Sequence, residues 1–466
     1  MSMMTLMGNF LRALQRTLGE ARSDNTLVQY DALLVRLGEH PYDRTMLPEP
    51  GAMGEYLSGG PAAVQTALPL LYTELYYRHL HQHWTSVPLA ARIASYRNYE
   101  ALFAFLADPA KGGRAHGLPV ALPAHWCWDL LAEFVYQFGD YAAYRARLAA
   151  SAETAVLETD AAARAAWAVP GVLAVLQQLA DPARCHELGH YALVGLCRVY
   201  CAICDYSSVV ALAPRIDLQH RVYSANPVCH VTLVHRVGFA YMMLRRYGDA
   251  VRTFVRLLGY LARGARPARA QPVVTKKIDQ IYALLAIAHS LAPQRIPEAV
   301  TAGLRERYGP KINQLQGGSV AATEELFIFA CPRFVPGALP PPRTQSTAPS
   351  DSAAGAATIP ARKQLQLFLR GAARQQTASV LRSYLKLYTT ISLAKLAEFV
   401  HEDPESVRRE LMCLTTNTHV LRDGSWSSTA DITIYIENDM VHVVENKHAR
   451  RYADYFLRLL QQPTMA

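Results

Sequence analysis

His186, Glu187 and His190 carry the strongest enzymatic spacing in the chain. On a helix, His-Glu-x-x-His places two imidazoles on one face to hold zinc, with the glutamate set as a general base. A catalytic centre of this kind also needs a third protein ligand. The extended pattern, with Gly three and His six residues past the second histidine, fails because Leu193 and Leu196 stand there. The next acid is Asp205, at a turn, and no strand text nearby supplies a substrate edge. Two ordinary histidines at a helix start are the preferred reading, and stoichiometric zinc in the purified chain would reverse it.

Cys201 and Cys204 form a Cys-x-x-Cys pair, the spacing of a redox motif or of half a structural zinc site. No second pair lies at the required distance and no strand precedes it. Cys197 and Cys201 share one helix face, which favours buried small hydrophobes. The eight cysteines are scattered through apolar text, so reduced thiols are expected. Gly59-Gly60-Pro61 and Gly317-Gly318 lack the spacing and the lysine of a phosphate loop, and no Gly-x-Ser-x-Gly elbow occurs. No catalytic residue, metal or cofactor is assigned, and no small-molecule substrate is expected.

One cluster suits a polyanion. Arg263, Arg266, Arg269, Lys276 and Lys277 lie between two helices, with no acidic residue from 262 to 277. Such a loop neutralises phosphates without reading sequence. It is a candidate RNA contact, against the competing reading of a solvated connector. The chain's 47 basic and 38 acidic residues give a formal +9, which favours a polyanion without requiring one.

These residues must be held by helices. The 466 residues are three times the ~150-residue domain prior, so one to three folded units are expected. Apolar residues at 51% and charged residues at 18% exclude an intrinsically disordered chain. No uncharged apolar run reaches the ~18 residues of a membrane span, and Arg12 and Arg16 at helical spacing argue against a signal peptide. A soluble, intracellular chain is expected.

Apolar residues recur at three to four positions over Thr5–Glu20, Val64–His83, Trp126–Leu148, Ala161–Ala180, His190–Ala213 and His230–Leu261. Val234-x-x-Val237-Gly238-x-x-Tyr241, followed by Ala250 and Phe254, has the tetratricopeptide spacing. The small residues let two antiparallel helices approach, and the rings fill the next groove. Arg246-Tyr247-x-x-Ala250 is echoed at Asp205-Tyr206-x-x-Val209 and Asp140-Tyr141-x-x-Tyr144. The predicted fold class is mainly α: an irregular TPR-like helical-repeat solenoid, then a winged helix and a C-terminal helix.

The expected organisation is 1–228 as N-terminal helical repeats, 229–330 as a TPR-like helical part, and 331–363 as a Pro-rich linker or insert. A winged helix at 364–446 and a terminal helix at 447–466 complete it. In the winged helix, Asp403-Pro404 opens a third helix, and alternating Ile432, Ile434 and Ile436 turn at Asn438-Asp439 into a second strand from Met440. The third helix carries Asp403, Glu405 and Glu410 against Arg408 and Arg409, an excess of acid unsuited to a DNA groove. Protein binding is preferred, through an open strand edge, with Ile432, Ile434, Ile436 and Met440 assigned to a subunit interface. Tyr452, Tyr455, Phe456, Leu459 and Leu460 form an apolar stripe that needs a partner and join that assignment.

A helical-repeat array feeding a winged helix resembles the PCI family, shared by scaffold subunits of the proteasome lid, the COP9 signalosome and eukaryotic translation initiation factor 3. ELYYRH (Glu74–His79), WCWDLLAEFVYQF (Trp126–Phe138), VGFAYMMLRRYGDAVRTF (Val237–Phe254), LRERYG (Leu304–Gly309), CPRF (Cys331–Phe334), RSYLKLYTT (Arg382–Thr390) and RRYADYF (Arg450–Phe456) resemble the subunit L family of that initiation factor. The resemblance implies a non-catalytic, cytoplasmic scaffold subunit that joins other PCI and MPN subunits and the small ribosomal subunit in preinitiation-complex assembly. It also implies side-by-side joining through winged helices, with terminal helices in a bundle. A PCI scaffold of the proteasome-lid or signalosome type is the alternative. The chain departs from the family in lacking the acidic, Tyr-rich N-terminal extension of animal forms and in its Pro-rich insert.

Overall fold

The computed structural model describes residues 3–19, 28, 47–57, 61–84, 86–107, 122–150, 161–181, 186–216, 220, 222–223, 226–262, 272–336, 353–417, 419–422, 425–428 and 432–445. The chain divides into two compact units, Met1–Leu365 and Gln366–Ala466.

The described residues of the first unit form helices and the turns between them, with no strand among them. Its main helices are α1 (Met3–Gly19), α2 (Ala62–His83), α3 (Leu89–Leu106), α4 (Ala124–Ala150), α5 (Val169–Leu179), α6 (His186–Ala202), α7 (Tyr206–Leu212), α8 (Pro227–Met243), α9 (Tyr247–Ala262), α10 (Pro272–Leu291), α11 (Glu298–Gln316) and α12 (Val320–Ala330). Local chemistry starts several of them. The Asn226 carboxamide accepts the Cys229 N–H at 3.2 Å ahead of Pro227, and Asp205 accepts the Ser208 N–H at 3.1 Å. Helices α4, α6, α8 and α10 pack in succession as one layer, and α5, α7, α9 and α11 cover it. This is the two-layer stacking of a helical solenoid.

The periodic runs at 161–180, 190–213 and 230–261 each break into two helices. Trp167, Cys204 and Arg245 adopt left-handed backbone angles, with φ of 56°, 66° and 59°, and turn the chain between them. Glycine usually marks such a turn, and here side chains that carry no turn signal occupy it. Two of the echoed tyrosines, Tyr206 and Tyr247, open the helix after such a turn and are buried. The third, Tyr141, lies inside unbroken α4, so the Asp140-Tyr141 echo is not a turn. Its hydroxyl instead donates to the Ala163 carbonyl at 2.6 Å.

The α8–α9 hairpin is packed as its spacing requires. A Cβ built on Gly238 would stand 2.1 Å from the Phe254 ring, which is fully buried. Phe254 therefore occupies the space that only glycine leaves on α8.

The second unit holds the end of α13 (Ala353–Leu385), β1 (Thr390–Ser392), α14 (Leu393–Val400), α15 (Pro404–Asn417), β2 (His419–Arg422), β3 (Ser425–Ser428), β4 (Ile432–Glu437) and β5 (Met440–Glu445). Helix α13 begins within the stretch read as a Pro-rich linker, because its Ala-rich opening favours helix. The sheet runs β1-β5-β4, all antiparallel, with Asn438 and Asp439 at positive φ in the β4–β5 turn. Helix, strand, helix, helix and hairpin follow in the order of a winged helix. Between α15 and β4 the β2–β3 hairpin intervenes, which the sequence pattern does not reveal. Leu385, Leu396, Val407, Leu411, Ile434 and Val441 lie at the centre of this unit's core.

Gly238→Val should destabilise the first unit by about 1–3 kcal/mol, the usual effect of overpacking a filled core. A thermal melt should show a lower midpoint, and an unchanged midpoint would contradict the packing.

Candidate interaction surfaces

The β4–β5 hairpin is the clearest exposed element of the second unit. Strand β5 lies between β1 and β4, so among the described residues β4 has one unpaired edge. Ile432 and Ile434 are buried in the unit's own core, and Ile436 packs partly against it. The period of two sends these side chains inward. The side chains of Ile432 and Ile434 thus serve the unit's own core, and Tyr435, Val444 and Met440 are the exposed large apolar residues of the hairpin. Tyr452, Tyr455, Phe456, Leu459 and Leu460 lie outside the described residues.

The basic stretch divides. Arg263, Arg266 and Arg269 are outside the described residues. Lys276 is exposed in the first turns of α10, whereas Lys277 is half-buried and donates to Gln280 Oε1 at 3.1 Å. Burial, followed by the charges of Arg236, Arg198 and Lys276, pulls the Lys277 ammonium down to about 7. Lys277 therefore faces inward and does not share a surface with Lys276.

The His-Glu-x-x-His string forms the first turn of α6. The side chains of His186 and Glu187 are outside the described residues. The His190 ring stacks on His220 with centroids 4.1 Å apart and meets the edge of Tyr223 at 5.7 Å. Among the described residues no three His, Cys, Asp or Glu side chains are grouped to hold a metal ion.

Cys197 and Cys201 are fully buried on α6, as their shared face predicts. Burial pushes the Cys201 thiol up to about 12 and the Cys197 thiol higher still. Such thiols are poor nucleophiles and poor ligands at neutral pH. Cys204 occupies the left-handed turn after α6.

Sequence reasoning missed Arg198 on α6 and Arg236 on α8. A usable signal is present in both. Each is a lone cation in apolar helical text, with no acidic residue three or four positions to either side.

A family model described as RNA polymerase I-associated factor PAF67 matches residues 91–187 and 182–462. Eukaryotic translation initiation factor 3 subunit L of Danio rerio is 33% identical over 84% of this chain and 73% of its own length. The Nematostella vectensis protein of that name is 32% identical over 91% and 84%, and the Homo sapiens protein 32% over 93% and 81%. The chain belongs to the eukaryotic translation initiation factor 3 subunit L family. The match runs through both compact units. Subunit L relatives are initiation-factor subunits by name, which leaves the proteasome-lid or signalosome alternative without support. No helix among the described residues is long and apolar enough to cross a membrane.

Two outcomes follow from this geometry. Ile434→Ala should destabilise the second unit by about 2–4 kcal/mol, whereas Tyr435→Ala should change it by less than about 0.5 kcal/mol. Chemical denaturation of both variants checks this, and equal effects would contradict the assignment of faces. Lys277 binds its proton less tightly in the folded chain than at its unfolded value of about 10.4. Stability should therefore rise with pH from about 7 to about 10, because the unfolded state holds the extra proton. Lys277→Met should raise the melting midpoint at pH 7 and remove that part of the rise, as melts across the range would show.

Proposed function

We propose that this chain is a non-catalytic scaffold subunit of a eukaryotic translation initiation factor 3 complex, supporting preinitiation-complex assembly on the small ribosomal subunit. Its similarity to subunit L relatives across most of its length carries this reading. The surfaces support it: among the described residues the hairpin offers an unpaired β4 edge, with Tyr435 exposed on β4 and Val444 and Met440 exposed on β5. The partners are other PCI and MPN subunits, and the place of action is the cytoplasm.

In this reading the helical repeats of 1–228 lead into a PCI domain made of 229–330 and the winged helix of 364–446. The edge of β4 accepts a neighbouring strand or sheet, since unpaired backbone groups are a ready template for another chain. The stripe of Tyr452, Tyr455, Phe456, Leu459 and Leu460 in 447–466 enters a helical bundle with other subunits. The Pro-rich stretch joins the two parts of the domain. Arg263, Arg266, Arg269 and Lys276 meet ribosomal RNA through phosphate contacts, without base recognition.

Tagged full-length chain should co-sediment with small ribosomal subunits and co-purify with PCI and MPN chains. A chain that runs alone in native mass spectrometry of extracts, or that turns over a substrate, would contradict the reading. Removing 447–466 should reduce co-purification at least tenfold while leaving the melting midpoint of the first unit unchanged.

A further inference from the structure

Arg198 on α6, Arg236 on α8 and Lys277 on α10 belong to three helices that pack in succession. Contacts draw them toward the end of α12. Gln280, which accepts from Lys277, donates to the Phe329 carbonyl at 2.9 Å, and His235 Nε2 lies 2.8 Å from the Ala330 carbonyl. One turn beyond Arg198, the Cys201 thiol donates to the Arg236 carbonyl at 3.5 Å. The segment after α12 then runs back across the layer. Phe334 approaches the Phe239 ring of α8 at 6.1 Å, and the Val335 N–H donates to the Ala202 carbonyl at 2.9 Å.

The charges in this region do not balance. Arg236 Nε and Nη1 are buried and meet no acceptor among the described residues. The groups whose fields reach Arg236 most strongly are the thiols of Cys201, Cys331 and Cys197, and its own field presses on Arg198 and Lys277. Among the described residues Arg198 donates to the Ala132 carbonyl at 3.4 Å and lies over the Trp128 ring, 6.0 Å from its centroid. Among the described residues the acid that acts on it is Glu133, whose carboxyl burial pushes up to about 7. The carboxy-terminal end of α12 supplies about half a negative charge, against three cations. Cations taken out of water without a counter-charge are unfavourable unless something else supplies it.

We propose that Arg198, Arg236 and Lys277 form a socket for an acidic side chain of a partner protein. The proposal rests on the scaffold reading above and names the chemistry of one contact. A single slender carboxylate can reach buried guanidinium nitrogens that a bulky phosphodiester backbone cannot. Glu133 on neighbouring α4 adds negative charge beside Arg198, which repels a polyanion and tolerates one carboxylate. The sequence between 195 and 202 offers no acid on the same helix to fill the socket instead.

A carbodiimide, which joins a carboxylate directly to an amine, is the probe, applied to the purified complex containing the full chain. Mass spectrometry should find Lys277 joined to an Asp or Glu of another subunit. A link from Lys277 to an acid of this chain, or no link at Lys277 while exposed lysines react, would overturn the socket. Lys277→Met should speed loss of the chain from the complex at least ~10-fold, while the isolated variant melts no lower than the wild type. Unchanged dissociation, or a lower melting midpoint in isolation, would overturn it. So would weaker binding of the isolated variant to homopolymeric RNA with assembly intact. If wild-type chain fails to enter the complex, the scaffold reading falls. If it enters without the link, the socket alone falls.

Discussion

An amphipathic helix buries one stripe of its surface, so a helical hairpin cannot complete a core alone and must find the next hairpin. That constraint orders the first unit. Phe254 fills the groove opened by Gly238, and α4, α6, α8 and α10 each cover part of the one before. Growth by addition along one direction leaves long faces rather than a closed sphere. A chain built this way presents surfaces, and a deep catalytic cleft is not a consequence of its packing.

The two units present different chemistry. In the second, the small sheet uses Ile432 and Ile434 to hold itself together and, among the described residues, leaves the backbone edge of β4 unpaired. Hydrogen bonding there is available to any extended partner, and specificity must come from side chains beside the edge, such as Tyr435. In the first, Arg198 and Arg236 interrupt apolar helices that would pack more simply without them. A charge retained in such a place is unfavourable for the isolated fold, and a complementary charge in an assembly would offset it.

Helix text at period 3.6 located most of the solenoid, and the Asn438-Asp439 turn with flanking isoleucines located the hairpin. The Arg246-Tyr247 and Asp205-Tyr206 echoes mark the turns at Arg245 and Cys204, whereas nothing within 161–180 announces the left-handed turn at Trp167. Apolar periodicity continues on both sides of such a turn and conceals it. The β2–β3 hairpin was hidden for a different reason: its strands are short and rich in serine, with little alternation to read. Ile432 and Ile434 were recognised as important, but alternation alone does not say which face meets the core and which meets a partner. Lys277 was grouped with its exposed neighbours because adjacency in sequence says nothing of direction around a helix. The cation cluster depends on three helices distant in sequence, and only the fold brings them together.

The central claim is that this polypeptide exists to be docked against. Amide hydrogen exchange, measured on the full chain alone and inside the purified initiation-factor complex, tests it most directly. The account predicts that β4 amides and those around Lys277 exchange faster in the isolated chain and gain protection on assembly, while the interior of α8 is equally protected in both. Identical exchange at β4 and α10 in the two states would contradict it.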